Sequence, residues 1–286
     1  MYRTEKIDIA SAEYPDKLRN IHNPPKQLYC TGDISLLLEP SVGVVGSRRY
    51  TLYGKNVALM TGRRLAEAGV PVISGLALGI DAFSHEGALE AEGKIIGVLG
   101  SGIERMGPER NRGLMNRGLK AGGLVVSEYP PDQDANKGTF PQRNRIISGL
   151  SEALVVVEAG MESGSLITAK FATEQGRTVY AVPGNINSGS SIGCNLLIRD
   201  GAVPLVIIDD LLRDIGAASG RMNTGTPDLE GDELAIYESV VRNNGATCDE
   251  IIGDTGLSAS LVNSLITVME IKGLVESYAG RIYLSR

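Results

Sequence analysis

The sequence predicts an α/β fold, a doubly wound parallel sheet followed by a small domain of helices and a β-hairpin. Short apolar segments alternate with longer helical patterns between about residues 41 and 215, a spacing typical of parallel strands joined by crossover helices. The strand segments are continuous runs of Val, Ile and Leu rather than alternating ones. Continuous runs favour strands that helices cover on both faces, as in a doubly wound sheet.

The first 40 residues are expected to form a lead-in that packs on the main domain. Pro15, Pro24 and Pro25 interrupt any long helix in this segment, because proline removes a helical hydrogen bond and restricts the residue before it. We therefore predict only a short helix near 16–21 and a short strand at 27–31, followed by a turn.

The main domain is expected to cover 41–215, with strands in the apolar segments and helices in the periodic ones. A long polar, proline-rich loop is predicted at 128–139. The predicted strands lie at 42–45, 70–74, 94–99, 124–127, 153–157, 177–182 and 204–205. The predicted helices cover 52–67, a segment ending near 91, a segment ending near 120, a short segment opened by the arginines at 143 and 145, a segment opening at 166, 196–200 and a segment starting at 209.

The C-terminal part of the chain has a different pattern. Residues 216–229 are rich in small, polar and turn-forming residues, which indicates a linker. Helical patterns then follow, with a turn at Gly256 and with Ser258 as a candidate N-cap of the last helix. A hairpin with its turn at Ala279–Gly280 ends the chain. Three helices and a hairpin predict a winged-helix domain over 230–286.

The two domains differ in charge. The chain carries 34 acidic and 28 basic residues, a net charge of −6. Residues 228–286 hold 10 of the acidic and 4 of the basic residues, which leaves 24 of each in residues 1–227. The large domain is therefore neutral overall, and any basic patch on it must be local. The acidic small domain is a poor candidate for binding phosphate.

Cysteine usage and hydropathy exclude several classes of protein. Cys30, Cys194 and Cys248 are far apart and show no CxxC spacing, which argues against a disulfide framework or a zinc site and suits a reducing cytoplasm. The N-terminus has no apolar signal-like region, and the apolar runs are too short for a membrane span. We expect a cytoplasmic protein with no membrane span.

Ligands of open α/β sheets bind beyond the carboxyl ends of the strands, and one loop at that edge is Gly46-Ser47-Arg48. Gly46 permits close backbone approach, Ser47 offers a hydroxyl, and Arg48 offers a two-pronged guanidinium. The loop lacks the G-x-G-x-x-G and GK[ST] patterns, so neither NAD nor ATP binding is supported and no cofactor is expected. A plain strand-to-helix turn is the alternative.

The segment 137–145 carries Lys137, Arg143 and Arg145 and no acidic residue. We expect Arg143 at a helix start, reaching over the sheet edge, and Arg145 projecting from the other side. Phe140 lies beside these cations, and base stacking with flanking phosphate contacts holds single strands without sequence preference. The alternative for Phe140 is a hydrophobic staple of the next helix.

The turn at 158–165 opens another helix and can hold a phosphate. Ser163, Gly164 and Ser165 would supply donors there, with Lys170 behind them, because a helix N-terminus favours anions. A structural turn is the alternative. Glu158 and Glu162 could also form an acid/base pair, which keeps an enzyme possible.

Other catalytic groups are sparse. His22 and His85 are the two histidines of the chain, and His85 is expected to be a helix histidine satisfied by local contacts. The spacing of His, Cys, Asp and Glu suggests no metal site. The sequence therefore favours a binding protein over an enzyme.

Five motifs resemble, in order, the DNA-processing protein A (DprA/Smf) family. They are GSRRY at 46–50, SGLALGIDAFSH at 74–85, GTFPQRNRIISGLS at 138–151, EAGMESGSLITAKFA at 158–172 and NLLIRDGA at 195–202. The resemblance implies an extended Rossmann-like domain that binds single-stranded DNA without sequence preference. It also implies a homodimer that loads a RecA-type recombinase on incoming DNA during natural transformation in competent cells.

The resemblance also places the family's phosphate pocket on this sequence. The corresponding positions are Arg48, Lys137, Phe140, Arg143, Asn144, Arg145, Gly164, Ser165 and Lys170. An alternative is an enzyme on a related Rossmann-like fold that cleaves nucleoside 5′-monophosphates with a PGGxGT turn and a nearby Glu. This chain has AGMESGS at that turn, without the double glycine. A structural adaptor acting through the winged helix is a third possibility.

The last helix of the winged-helix domain, roughly 258–271, contains Glu270 and no Lys or Arg. A winged helix that reads DNA needs basic residues on its recognition helix, so we predict that this domain contacts protein and not DNA. A fragment of residues 228–286 should bind neither single- nor double-stranded DNA in gel-shift titrations at physiological salt. A shifted band with either DNA would contradict the prediction.

Overall fold

The computed structural model describes residues 3–217, 229, 231–243, 245–272, 274–278 and 280–284. The chain divides into two compact units, residues 1–222 and 223–286, and each is described by itself. The predicted domain limits at 40, 215 and 229 stay predictions. Most of the predicted linker, 216–229, lies outside the described residues.

A mixed sheet of nine strands forms the centre of the first unit as far as it is described, in the order β1-β2-β6-β5-β4-β3-β7-β8-β9. Its strands are β1 Thr4–Asp8, β2 Gln27–Gly32, β3 Val42–Val45, β4 Val72–Ser74, β5 Ile95–Leu99, β6 Leu124–Ser127, β7 Ala153–Val156, β8 Thr178–Ala181 and β9 Val203–Pro204. The pairings from β6 through β9 are parallel, while β1 pairs antiparallel with β2 and β2 antiparallel with β6.

Helices cover both faces of the sheet. They are α1 Asp16–Arg19, α2 Leu52–Glu67, α3 Ile80–Glu90, α4 Arg112–Lys120, α5 Thr139–Leu150, α6 Gly164–Glu174, α7 Ile192–Arg199 and α8 Ile208–Asp214. Val42 and Val44 share a core with α2, α3 and α8, whereas Val45 shares another with α1, α5, α6 and α7. Neighbouring strand residues thus pack on opposite faces of the sheet. The predicted doubly wound sheet is confirmed.

The N-terminal edge of the sheet and the start of α5 differ from the sequence prediction. The lead-in contributes β1 and β2 as an antiparallel edge of the sheet, and β1 was not predicted because TEKID is mostly polar and has only one buried residue, Ile7. Helix α5 begins at Thr139, inside the predicted loop, where the Asn136 side chain accepts from the N–H groups of Gly138 and Thr139 at 2.9 and 3.1 Å. The arginines of this segment therefore lie inside a helix.

The second unit contains α9 Gly231–Arg242, α10 Cys248–Thr255, α11 Ala259–Ile271 and a hairpin of β10 Val275–Tyr278 with β11 Arg281–Leu284. A capping box joins Thr247 and Glu250 at the start of α10, Gly256 ends that helix at φ +69°, and Ser258 caps α11. The predicted three helices and hairpin are confirmed. Of the predicted turn, Gly280 is described and Ala279 lies outside the described residues.

No single helix in the described part of the chain is both long and apolar enough to cross a membrane. The pair α10 and α11 reaches that length and composition only when taken together across a bend of 113°.

Helices α2 and α3 approach each other at two glycines. A Cβ on Gly62 would lie 2.0 Å from the carbonyl oxygen of Ser84, and a Cβ on Gly87 would lie 2.1 Å from that of Leu59. Backbone atoms cannot yield as a flexible side chain can, so these positions admit no larger residue without moving a helix. The contact fixes α3 against α2 beneath the loops at the carboxyl edge.

We predict that Gly87→Ala lowers the free energy of unfolding by about 1–3 kcal/mol, because the added methyl group overpacks the helix contact. Gly113→Ala in α4 is the matched control, since nothing lies within 4 Å of a Cβ there, and its stability should be unchanged or up to about 1 kcal/mol higher. Urea unfolding followed by circular dichroism measures both. Equal midpoints for the two variants would refute the close contact.

Candidate nucleic-acid interface

The topological switch point of the sheet lies between β3 and β7. The chain proceeds from β3 through β4 and β5 to β6 on one side and then returns to β7 on the other. The loops after these two strands meet there, since the Ser47 N–H donates to the Glu158 carbonyl oxygen at 2.8 Å. This crevice at the carboxyl ends of the strands is where an open α/β sheet places its ligand.

A buried carboxylate holds the switch point together. Glu158 is 2% exposed, and its two carboxylate oxygens accept from the Thr51 backbone N–H at 2.9 Å and the Thr51 hydroxyl at 2.5 Å. A Cβ on Gly54 would lie 2.2 Å from this carboxylate, so the start of α2 rests directly on it. Glu162 is exposed. Glu158 is therefore an anchor of the loop and is not free to act with Glu162 as an acid/base pair.

The three residues of the first loop have different environments. A Cβ on Gly46 would lie 2.7 Å from Ile80, so helix packing requires this glycine. The Ser47 hydroxyl donates to the Arg49 carbonyl oxygen at 2.7 Å, which engages its hydrogen within the loop. Arg48 is exposed, and its guanidinium carbon lies 5.6 Å from the centroid of the Phe140 ring, within cation–π range.

Arg143 is buried beneath this surface and does not reach over the sheet edge as predicted. It is 5% exposed, and its Nη1 donates to the carbonyl oxygen of Gly75 at 2.7 Å and to that of Val98. A Cβ on Gly75 would lie 2.4 Å from Nη1, so only glycine leaves room for the guanidinium. Arg143 thus ties α5 to the end of β5 and to the loop after β4.

The buried carboxylate of Asp81 attracts the guanidinium of Arg143 electrostatically. Asp81 is 6% exposed and accepts from the Gly75 N–H at 3.1 Å. Burial raises the pKa of Asp81 above its ordinary value, and the nearby Arg143 charge opposes that rise. Burial likewise lowers the pKa of Arg143 to about 10, against the attraction of Asp81. The two buried groups compensate each other's loss of water in part.

Arg145 is also buried, which corrects the prediction that it projects from the other side of the helix. It is 4% exposed, and its Nη2 donates to both carboxylate oxygens of Glu128 at 2.6 and 2.8 Å. Its Nε and Nη1 are buried and have no hydrogen-bond partner among the described residues. Both arginines are buried because α5 begins one turn earlier than predicted and buries every residue from Arg143 to Leu150 except Asn144.

Of the other residues of 137–145, Thr139 is buried, whereas Lys137, Phe140 and Asn144 keep surface exposed to different degrees. Phe140 is half-buried, with its ring about 3.0 Å from the position of a Cβ on Gly100, so it packs against the loop after β5 and leaves part of its ring free. It is the second residue of α5, whereas a hydrophobic staple precedes the N-cap, so Phe140 is not a staple of this helix. Lys137 is exposed and forms no ion pair within the described residues. The Asn144 side chain donates to the Gly164 carbonyl oxygen at 3.4 Å, which joins α5 to the start of α6.

The start of α6 is open to solvent at Gly164. Ser163 caps the helix, accepting from the Ser165 N–H at 3.4 Å, and the two hydroxyl oxygens lie 2.7 Å apart. Lys170 lies six residues further on, about 9 Å along the helix axis, and its Nζ is 3.9 Å from Glu174. Lys170 and Ser163 line the same pocket beside α6, so a phosphate contact by Lys170 stays a prediction.

The outward-facing residues form one surface, which we call the edge surface: Arg48, Lys137, Phe140, Asn144 and Gly164. Three residues beneath it that hold its loops were not found from the sequence, namely Gly75, Asp81 and Glu128, and Glu158 was given a different role. Their signal was present in the motif SGLALGID and in the acidic residues that directly follow β6 and the apolar run of β7. Glu158 suggested catalysis from the sequence, whereas in the structure Glu158 anchors the backbone of Thr51 and Glu128 binds Arg145.

His85 lies away from the edge surface, on α3. It is fully buried, and neither ring nitrogen meets hydrogen-bond geometry with a partner within the described part of the chain, although the backbone of Val72 and Ile96 acts on the ring. Burial lowers the pKa of His85 to about 3, against a smaller opposing effect of the backbone at Val72 and Ile96. Among the described residues, no group of three or more His, Cys, Asp or Glu side chains could hold a metal ion.

Comparison with known protein families gives two matches. Residues 5–216 match the family model of DNA recombination-mediator protein A. Residues 221–281 match the model of the DprA winged helix domain. The second match agrees with the three helices and hairpin found in the second unit.

Individual relatives give the same result. The chain is 40% identical over 210 residues to DNA processing protein DprA of Bacillus subtilis, covering 73% of this chain and 70% of that protein. DNA processing protein A from Streptococcus pneumoniae superposes with a TM-score of 0.70 at 39% identity, covering 74% of each chain. DNA processing protein A from Helicobacter pylori, whose structure describes a unique single-stranded DNA binding mode, superposes with a TM-score of 0.66 at 30% identity, covering 75% of this chain and 96% of that one.

The buried His85 predicts a specific pH dependence of stability. Its folded-state pKa of about 3 lies below the unfolded value of about 6.5, so the stability that comes from the neutral ring is present above pH 6.5 and is lost as pH falls toward 3. Lowering the pH from 7 to 5 should therefore lower the free energy of unfolding by about 2 kcal/mol through this group.

His85→Gln should remove that loss, whatever its effect on stability at pH 7, whereas the exposed His22→Gln should retain it. Urea unfolding at pH 7 and pH 5 measures the difference for each protein. The same pH dependence in His85→Gln and in the unmodified protein would contradict a buried neutral histidine.

Proposed function

The chain belongs to the DNA recombination-mediator protein A family, and on that basis we propose that it binds single-stranded DNA without sequence preference. We further propose that it loads a RecA-type recombinase on incoming DNA in natural transformation and recombination, as a cytoplasmic homodimer. In this proposal the protein is a binding protein and not an enzyme, and it needs no cofactor.

The observation that carries the proposal is the contact between Arg48 and Phe140 at the switch point of the sheet. The ring of Phe140 keeps part of its surface free, so a base can stack on it. The exposed guanidinium of Arg48 beside it can bind the phosphate of the same nucleotide. Every base has a π-face and every nucleotide a phosphate, so such a site is indifferent to sequence. The single-stranded DNA binding mode of the Helicobacter pylori relative supports the same ligand class.

We assign the eleven site residues two kinds of role. The outward-facing ones contact the strand directly: Arg48 and Lys137 through phosphates, Phe140 through a base, and Asn144 and Gly164 at the start of α6. The others act through the shape of the surface or at its margin: Gly46, Ser47, Arg143, Arg145, Ser165 and Lys170. Gly46 and Ser47 shape the first loop, and Arg143 and Arg145 hold α5.

A non-enzymatic role is supported by how the acidic and imidazole groups are used. Both carboxylate oxygens of Glu158 are engaged by Thr51, and the ring of His85 is fully buried. A general acid or base must reach the substrate and must have an atom free to give or accept a proton. Neither Glu158 nor His85 meets both conditions.

Exposed apolar side chains at the free edge of the sheet support the homodimer. Val203, Val206 and Ile207 are 40%, 75% and 43% exposed at β9 and the turn after it. An unpaired edge strand with apolar neighbours is a surface that a second copy can cover. The recombinase partner is proposed from the family alone.

The sharpest test removes the exposed cations, because variants of Arg143 or Arg145 would also remove buried anchors of α5. We predict that Arg48→Gln with Lys137→Gln weakens binding to oligo-dT and to mixed-sequence single strands by the same factor. The slope of log affinity against log salt should fall in magnitude by about 1.4, or about 0.7 for each lost phosphate contact.

Fluorescence anisotropy titrations at several salt concentrations measure both quantities. Lys120→Gln is the control, since Lys120 is exposed at the end of α4, where the chain leads into the amino end of β6. Unchanged affinity and slope in the double variant, or an equal loss in the control, would overturn the assignment of the edge surface.

A further inference from the structure

A second aromatic and cationic cluster adjoins the edge surface, and the proposed function does not use it. We call it the tyrosine platform: Arg49, Tyr50, Lys55 and Phe83. The Tyr50 and Phe83 rings meet edge to face, with centroids 4.7 Å apart and planes at 81°. The Lys55 Nζ lies 5.2 Å from the centroid of Phe83. The platform thus repeats the combination of ring and cation found at Phe140 and Arg48.

The platform is accessible. Tyr50 is 45% exposed, Arg49 is exposed, and Lys55 and Phe83 are half-buried. The Tyr50 hydroxyl forms no hydrogen bond within the described residues, so its ring is held by the contact with Phe83. A large aromatic side chain that keeps almost half its surface in water, on a loop fixed by buried anchors, is placed to receive a planar ligand.

The charges of the platform are not compensated. The segment 46–55 contains Arg48, Arg49 and Lys55 and no acidic residue, and none of these three forms an ion pair in the described part of the chain. Further along α2, by contrast, Arg63 pairs with Glu90 at 2.8 Å and Arg64 with Asp209 at 2.7 Å.

Arg48 and Arg49 before α2 and Lys55 in its first turn therefore stay free of ion pairs among the described residues, while Arg63 and Arg64 near the other end of the helix are neutralised. Uncompensated cations beside exposed rings fit a polyanion with planar groups better than an apolar protein surface. The platform is also continuous with the edge surface, because Tyr50 follows Arg48 by two residues, which separates their Cα atoms by about 7 Å at most.

We propose that the tyrosine platform is a second base-stacking position for the same single strand, with Tyr50 stacking a base and Arg49 and Lys55 contacting the flanking phosphates. This inference rests on the proposed function and adds to it the direction of the strand's path. The strand leaves Phe140, passes Arg48 and continues across the start of α2. A strand that reaches both rings is held at two points, which lengthens its lifetime on the protein.

The test separates stacking from packing by substitutions at Tyr50. Tyr50→Ala and Tyr50→Leu should each weaken binding of a long oligo-dT roughly 5-fold or more, and Leu keeps an apolar contact with Phe83. Tyr50→Trp should retain the affinity of the unmodified protein. The salt slope should stay unchanged in these variants, whereas Arg49→Gln with Lys55→Gln should lower its magnitude by about 1.4.

Oligonucleotides with one abasic site at successive positions locate the base. At one position, the abasic site should weaken binding to the unmodified protein as much as Tyr50→Ala weakens binding of the intact oligonucleotide. The same abasic site should not weaken binding to the Tyr50→Ala variant any further. Equal affinity of Tyr50→Ala and the unmodified protein for every oligonucleotide, with Arg48→Gln still impaired, would overturn this inference and leave the proposed function standing. Absence of single-stranded DNA binding by the unmodified protein would overturn both.

Discussion

The buried guanidinium of Arg143 is the interaction on which the surface of this protein depends. It bonds to the carbonyl oxygens of Gly75 and Val98 and thereby fixes the first turns of α5 above the ends of β4 and β5. Phe140 lies one turn before it in the same helix and under Arg48. A charge placed in the interior costs free energy unless hydrogen bonds and an opposite charge compensate it. Asp81 and the two carbonyl groups supply that compensation, and they hold the loops as a consequence.

The fold could be predicted from the sequence to a large extent, and the site only in part. Strands β3 to β8 were predictable because their apolar runs are continuous and regularly spaced. β1 was not, because TEKID buries a single side chain at the sheet edge and owes its structure to pairing with β2. Pairing with a distant segment is a tertiary effect that local pattern does not contain.

The position of the site was predictable from topology, whereas the exposure of its residues was not. Glycine and arginine at strand ends predicted the crevice, and the structure places Arg48, Phe140 and Gly164 along it. The burial of Arg143 and Arg145 depends on the start of α5 at Thr139, which the Asn136 side chain sets by accepting two backbone N–H groups. An arginine in a sequence looks the same whether it binds a phosphate or a backbone carbonyl, since both are oxygen acceptors.

We propose that the edge surface binds single strands through phosphates and stacked bases. The most direct measurement is an anisotropy titration of the whole chain with single- and double-stranded DNA of the same sequence across a range of salt concentrations. The account predicts tighter binding of the single strand, equal affinity for oligo-dT and mixed sequences, and an affinity that falls linearly on logarithmic axes as salt rises. Equal or tighter binding of the duplex, or an affinity that does not change with salt, would contradict it.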